Sequence, residues 1–275
     1  MGGEAELSIM QLSLAGWSLW KLFRAESNPL KVTDFPRFAK ENFGIEAVEL
    51  NSPFFESREP AYLKQLVGAA EQAGVKLLNI AVDEQGDLSS EDPAKRELGL
   101  RSYGQWIPVA AAIGCTAIRA NSGGREVVDR EQAIANCIES FRRLADEGRR
   151  NGVTVLMENH GGISADADTI VRIMEALRQT HSGDEVGTLP DFGNWPDTAD
   201  RYGSIEKIMP YAHAVHAKVN DIDENLNHPR FDHARCIAIA KAARYDGYLG
   251  IEYEGKTCDQ VEGVKRGAAL LRKLI

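Results

Sequence analysis

Four consecutive β-rich segments in the second half of the chain end in residues that could do chemistry. VTVLMENHGG carries Glu158, Asn159 and His160, and EVGTLPDFGNW carries Asp191 with Asn194 three residues on. AHAVHAKVND carries His216 and Lys218, and YLGIEYEG carries Glu252 and Glu254. Residues two apart on a strand share a face, so His216 goes with Lys218 and Glu252 with Glu254. Where such ends converge, three carboxylates meet in a low-dielectric space and repel each other unless they are protonated or neutralised. A divalent cation removes that conflict. Three carboxylate donors plus the His216 imidazole suit one Mn²⁺, Mg²⁺, Co²⁺ or Zn²⁺ ion with positions left for a substrate. Each of these residues has an ordinary explanation taken singly, as a loop carboxylate, a helix cap, a core histidine or an ion-pair partner. The signal lies in the constellation.

The elements that must bring these ends together recur along the whole chain. Strand candidates are Ile9–Ala15, Ile45–Asn51, Val75–Val82, Thr116–Asn121, Thr154–Glu158, Glu185–Asp191, Ala214–Val219 and Tyr248–Glu252. Between them, segments such as Asp34–Asn42, Pro60–Ala73, Glu97–Ile113, Glu131–Asn151, Ala167–Gln179 and Asp232–Tyr245 repeat apolar residues at helical spacing. Glycine turns at Gly44, Gly74, Gly114, Gly152 and Gly247 read as helix stops feeding the next strand. Strand–helix alternation with short connections predicts a parallel sheet. Eight such units without a composition break predict one domain over residues 1–275, closed as a (β/α)₈ TIM barrel, with an open doubly wound sheet as the alternative. Barrel strands are buried and read as runs of Val, Ile and Leu, so charges at their C-terminal ends mark the face where barrel active sites sit.

Composition narrows the function classes. The 275 residues are 43% hydrophobic and 27% charged, which is ordinary for a soluble globular chain. A formal net charge of −9 argues against general nucleic-acid binding, because an acidic surface repels phosphate backbones. The densest basic cluster, Arg142-Arg143 with Arg149-Arg150, is interleaved with Asp146 and Glu147 and reads as a solvated helix face. Cys115, Cys137, Cys236 and Cys258 are widely spaced, which points to reduced thiols and a cytoplasmic protein. No run of roughly 20 apolar residues reads as a membrane span. The N-terminal MGGEAELSIMQLSLAGWSLW has early acids and no basic-then-apolar pattern, so it does not read as a signal peptide.

Weaker candidates surround the main set. Glu49 and Asn51 share a face on the second strand, as do Arg119 and Asn121 on the fourth, and Asn51 at the tip is placed to touch a substrate. His213 reads as structural and His181 as an exposed loop residue, whereas His228 and His233 flank Pro229 within reach of the mouth. Trp17, Trp20 and Trp195 follow strands one and six and could form an apolar wall against a sugar ring, or simply pack.

These segments resemble the xylose isomerase-like barrel superfamily of sugar phosphate isomerases and epimerases. The resemblance runs from FGIEAVELNSPFF through GVTVLMENHGG and VGTLPDFGNW to VHAKVND and GYLGIEYEG, nearly the whole chain. It implies one divalent metal held by Glu158, Asp191, His216 and Glu252, with Glu254 the alternative to Glu252. It also implies proton abstraction from a ketose or related polyol through an enediolate, with Glu158 and Glu252 as acid and base. His160, Asn194, Lys218 and Glu254 are the candidate substrate contacts, Lys218 opposite developing enediolate charge. The loop after strand seven reads DIDENLNHPRF and offers Arg230 where the epimerases place a substrate-binding arginine loop. The superfamily also contains DNA-repair enzymes, but their three-zinc cluster is not matched by Asn51, Asp83, Asn121 and Asn194. Two further readings stand beside the epimerase: a lyase using the same metal and base to expel a β-leaving group, and a sugar-binding barrel without chemistry. Phosphorylation of the sugar is left open, and the absence of a glycine-rich phosphate cradle favours a free sugar. A small-molecule sugar or polyol is the expected partner, with a homo-oligomer possible and no nucleic acid or membrane.

Overall fold

A computed structural model describes residues 10–84 and 86–275, so residues 1–9 of the N-terminal segment read above for a leader, including Ile9 of the first strand candidate, lie outside the described residues. The described chain alternates strand and helix throughout. The strands are β1 (Gln11–Ala15), β2 (Ala47–Asn51), β3 (Lys76–Ala81), β4 (Ala117–Ala120), β5 (Thr154–Glu158), β6 (Val186–Leu189), β7 (Val215–Val219) and β8 (Tyr248–Tyr253). They form one parallel eight-stranded sheet in the order β6-β5-β4-β3-β2-β1-β8-β7. The two edges meet through isolated bridges, Thr188 to Ala212 and Asp191 to His216. Three backbone hydrogen bonds make this seam: His213 N to Thr188 O, His216 N to Pro190 O and Phe192 N to His216 O, each 3.0 Å. The ring closes as a TIM barrel, as expected.

Local chemistry explains the helices. Asp92, Asp129, Asp166, Asp200, Asp232 and Asp259 each occupy an N-cap and accept a hydrogen bond from a backbone N–H of the first turn. Each such cap is worth about 1 kcal/mol. Gly44, Gly74 and Gly152 adopt left-handed caps at φ of 62°, 65° and 67°, ending Phe35–Phe43, Pro60–Ala73 and Arg130–Asn151. Ahead of β8 the left-handed residue is Arg244, at φ 58°, rather than Gly247. The segment expected as one helix over Glu97–Ile113 divides into Pro93–Gly104 and Ile107–Ala112. Pro108 has no N–H for the Gly104 carbonyl, so a continuous helix would lose that bond. Helices Arg201–Ile208 and Gln260–Arg272 complete the outer ring.

Leucine, isoleucine, valine and phenylalanine fill the space between barrel and helices as one continuous core. His181, expected to be exposed, is buried, with its ring between Thr180 Oγ1 (2.9 Å) and Asp146 Oδ1 (3.3 Å). The arginines of Arg130–Asn151 pair along the solvent face with Glu139, Glu97, Asp146 and Glu185 at 2.7–3.4 Å, and with Glu147. All four cysteines are free thiols. Among the described residues, no helix is long and apolar enough to cross a membrane.

Candidate active site

The barrel interior departs from an aliphatic filling at one level. Ser13 on β1, Glu49 on β2, Asn79 on β3, Arg119 on β4, Glu158 on β5 and His216 and Lys218 on β7 are all buried. Asp191, just after β6, is fully buried, and Glu252 on β8 is 5% exposed. Glu158, Asp191, His216 and Glu252 each offer one ligand atom, and the four atoms lie within 4.8 Å of one another. His216 Nδ1 is 3.7 Å from Glu158 Oε1, 3.9 Å from Asp191 Oδ2 and 3.6 Å from Glu252 Oε2. Glu254, the alternative donor, stays at the rim with its Oε1 3.1 Å from Lys218 Nζ.

The arrangement around these four residues fixes them. Glu49 Oε2 lies 3.0 Å from His216 Nε2, and Glu49 itself accepts hydrogen bonds from Ser13 Oγ (2.6 Å) and Asn79 Nδ2 (2.8 Å). With Nε2 committed to Glu49, His216 turns Nδ1 toward the three carboxylates. This is the carboxylate–histidine pattern that sets tautomer and ring orientation at metal sites. Gly250 makes the pairing possible, because a Cβ there would stand 2.2 Å from Glu49 Oε1 and 3.0 Å from His216 Cδ2. Asp191 Oδ1 accepts from the backbone N–H groups of Gly193 (2.6 Å) and Asn194 (2.7 Å), which aims Oδ2 inward. Asn159 locks the same residue by exchanging two hydrogen bonds with its backbone, at 2.7 and 2.9 Å. Glu158 is held on both sides, by a hydrogen bond from Asn194 Nδ2 at 2.9 Å and an ion pair with Arg119 Nε at 2.9 Å. Arg119 also reaches Asp83 Oδ1 (2.8 Å) and Asn121 Oδ1 (3.0 Å), and Asn51 Nδ2 joins Asp83 at 3.4 Å. Lys218 Nζ contacts Glu252 Oε2 and lies 3.6 Å from Asp191 Oδ2.

The charges of this box nearly cancel, and the mismatch is informative. Glu49, Glu158, Asp191 and Glu252 face Arg119, His216 and Lys218, one negative charge too many. Burial pushes Glu158 up, but Arg119, with His160 and His216, holds its carboxyl well below the usual carboxylate range. Burial likewise opposes the ionised form of Glu252, yet Lys218 and His216 hold it down. Asp191 goes the other way: burial raises it, Lys218 compensates only in part, and Glu252 and Glu158 raise it further. His216 is raised well above the ordinary histidine value despite its burial, chiefly by Glu252 and Glu49. Burial and the neighbouring charges thus favour the protonated form of Asp191, and the facing carboxylates favour the protonated form of His216. Glu158 Oε2, Asp191 Oδ2, His216 Nδ1 and Glu252 Oε2 are buried polar atoms that complete no hydrogen bond of good geometry, although buried polar groups are normally satisfied. A divalent cation fits this donor set. It would let His216 be a neutral ligand and all four carboxylates ionise, with Arg119 and Lys218 completing an even balance.

Elsewhere around the mouth, His160 and Asn194 lie side by side on a cavity at the rim. His228 and His233 meet edge to face at 4.6 Å, and His233 Nε2 bonds the Lys218 carbonyl at 2.9 Å. Arg230 pairs with Asp197 Oδ1 at 3.4 Å. Trp195 is buried at 2% exposure and packs instead of forming a wall. Trp17 stacks on Phe54 at 5.8 Å and Phe54 on Phe23 at 4.4 Å, which leaves an aromatic face on the β1 side. Glu49 and Arg119, which the sequence places on a strand face without a role, are the residues that hold His216 and Glu158 here.

A parallel (β/α)₈ ring with a buried carboxylate–histidine cluster at its C-terminal mouth is the architecture of a barrel enzyme. Residues 36–274 match the family described as xylose isomerase-like TIM barrel, and the chain belongs to that family. Its fold is similar to a D-psicose 3-epimerase solved with D-fructose, at 17% identity, covering 96% of this chain and 99% of that one with a TM-score of 0.74. It is also similar to a 3-keto-D-glucoside 4-epimerase from E. coli, at 14% identity, with coverage of 96% and 99% and a TM-score of 0.75. One sequence relative is the C-glycoside deglycosidase alpha subunit of Arthrobacter globiformis, 39% identical over 74 residues. That match spans 25% of this chain and 21% of the relative.

Proposed function

We propose that the protein is a divalent-metal-dependent sugar isomerase or epimerase that moves a proton beside the carbonyl of a ketose or related polyol. The observation that carries this reading is the convergence of the buried Glu158, Asp191, His216 and Glu252, each of which offers one ligand atom within 4.8 Å of the others. When bound, the metal supplies Lewis-acid polarisation of the substrate carbonyl and an adjacent hydroxyl. The protein does the rest. One carboxylate of the Glu158 and Glu252 pair takes the proton from carbon, and the other returns a proton to the opposite face. Arg119 and Asn194 keep Glu158 ionised and fixed, so it accepts a proton without having to lose one first. The Lys218 ammonium is placed to hold Glu252 and to face charge developing on the substrate oxygen. His160, Asn194 and Glu254 at the rim are the contacts assigned to the sugar hydroxyls.

Elimination is the second reading, favoured by the 74-residue likeness to a deglycosidase subunit. The same proton leaves, but the electron pair then expels a β-leaving group and an unsaturated product appears. Metal content and hydrogen exchange test the shared step. The purified chain is expected to bind about one equivalent of Mn²⁺ after chelation and re-addition, and the His216→Ala chain none. Ketoses in heavy water then gain carbon-bound deuterium with the wild type and lose that gain in Glu158→Gln. Absence of any metal under these conditions overturns the enzyme reading in favour of a sugar-binding barrel.

A further inference from the structure

Beside the metal-ligand cluster, on the rim made by the loops after β4, β5 and β6, lies a cavity of about 630 Å³. Its lining includes Arg125, Arg130, His160, Gly161 and Asn194. Asn194 belongs to both places, since its Nδ2 holds Glu158 Oε1 at 2.9 Å. Anything occupying the cavity while bound at the cluster therefore extends past Asn194 toward the two arginines.

The charge here runs against the rest of the molecule. In a chain of net charge −9, two arginines and a histidine converge on one concave surface. Arg130 is partly committed, to Asp166 Oδ2 at 2.9 Å and Thr169 Oγ1 at 2.8 Å. Arg125 forms no ion pair among the described residues; its guanidinium donates to the His160 carbonyl at 3.3 Å. His160 Nδ1 is buried and unpartnered. The loop glycines let these groups approach. Gly161 and Gly162 have φ of 80° and 58° and face Gly123 and Gly124 at 77° and 71°. A Cβ on Gly162 would stand 2.0 Å from the Gly123 carbonyl oxygen. The two glycine pairs come from different loops, so no single glycine-rich motif announces them.

We infer that this cavity is a subsite for an anionic substituent of the substrate, a carboxylate or a phosphate, recognised by Arg125 with support from Arg130 and His160. A planar guanidinium with uncommitted donors is suited to such oxygens. The inference rests on the sugar-enzyme reading above for what lies at the cluster, and it revises the expectation of a free, uncharged sugar.

Calorimetric titration of the full chain tests it with three probes: inorganic phosphate, D-glucuronate and D-glucose. The chelated protein is used for phosphate, so that a metal cannot itself attract the anion. At least one anion is expected to bind the wild type and to bind Arg125→Gln at least tenfold more weakly, while D-glucose shows no such change. Binding of glucuronate alone assigns a sugar acid, and binding of phosphate alone assigns a phosphorylated sugar. Failure of both anions to bind, or equal binding to wild type and Arg125→Gln, overturns the inference. Because Arg125 is exposed and outside the metal-ligand set, His216→Ala should keep the anion response. An anion site without metal binding refutes the enzyme reading, and metal binding without an anion site refutes only the subsite.

Discussion

Glu49 is the residue whose replacement best separates positioning from packing. It reaches the cluster through the His216 Nε2 hydrogen bond of 3.0 Å, in a site where both side chains are at most 2% exposed. In Glu49→Gln the amide oxygen can still accept from His216 and Asn79 while the amide nitrogen faces Ser13 Oγ, so geometry survives and only the charge is lost. Net hydrogen bonds to charged groups are worth about 1.5–3 kcal/mol against about 1 kcal/mol for neutral ones. The difference corresponds to roughly a tenfold loss in Mn²⁺ affinity. In Glu49→Leu the acceptor disappears as well, leaving His216 Nε2 unpartnered and free to turn, and the loss should reach about a hundredfold, the upper end for partners behind a metal ligand. Competition with a fluorescent chelator reads both values, and urea denaturation of the chelated chains shows whether either variant has simply lost its fold. Packing alone would lower stability without this graded order in metal affinity. A Glu49→Leu chain that is folded and binds Mn²⁺ as the wild type does would refute the reasoning.

Two further outcomes follow from the same geometry. Gly250→Ala places a methyl group 2.2 Å from Glu49 Oε1, and overpacking of this kind should cost roughly 1–3 kcal/mol in denaturation experiments and weaken Mn²⁺ binding as well; unchanged values in both would show that the strand moves aside freely. Burial holds His233 down to about 4, so it stays neutral in the folded chain while the unfolded chain protonates near 6.5. Its contribution is present above the unfolded value and is lost as pH falls from about 6.5 toward 4, up to about 3 kcal/mol. Denaturation at pH 7, 5.5 and 4.5 should show a shallower fall in His233→Gln than in the wild type, and parallel curves would refute the assignment.

The ring of strands was legible because it is written locally. Apolar runs and glycine stops recur near most of the expected boundaries, and the structure only trims them, as where Pro190 follows the end of β6 at Leu189. The donors of the cluster were legible because each is a polar or charged residue in, or just after, an apolar buried strand. Glu49 and Arg119 were not, because their meaning lies in partners 167 and 36 to 39 residues away, across the barrel axis and between neighbouring strands. His181 misled for the same reason: a polar loop sequence does not show that Asp146, on another helix, will cover the ring. The cavity beside Asn194 was hidden by being split over three loops.

The seam between β6 and β7 gives the barrel a clasp. Every other neighbouring pair of strands is joined by a ladder, but here the ring is closed by isolated bridges and three backbone hydrogen bonds, two of them made by His216 itself. A barrel opens most cheaply where it is least stitched. The joint that opens first is thus the one flanked by Asp191 and His216, and a cation held across them would fasten the hoop where it is weakest. Ligand binding stabilises only the state that holds the ligand, so the gain should concentrate in slowed amide exchange at Phe192, His213 and His216 rather than spread around the ring. Equal slowing at the β2–β3 ladder would show that the hoop opens as a whole. In this molecule the proposed metal centre and the seam of the ring meet at the same two residues, so a substitution at either should be felt as chemistry and as mechanics together.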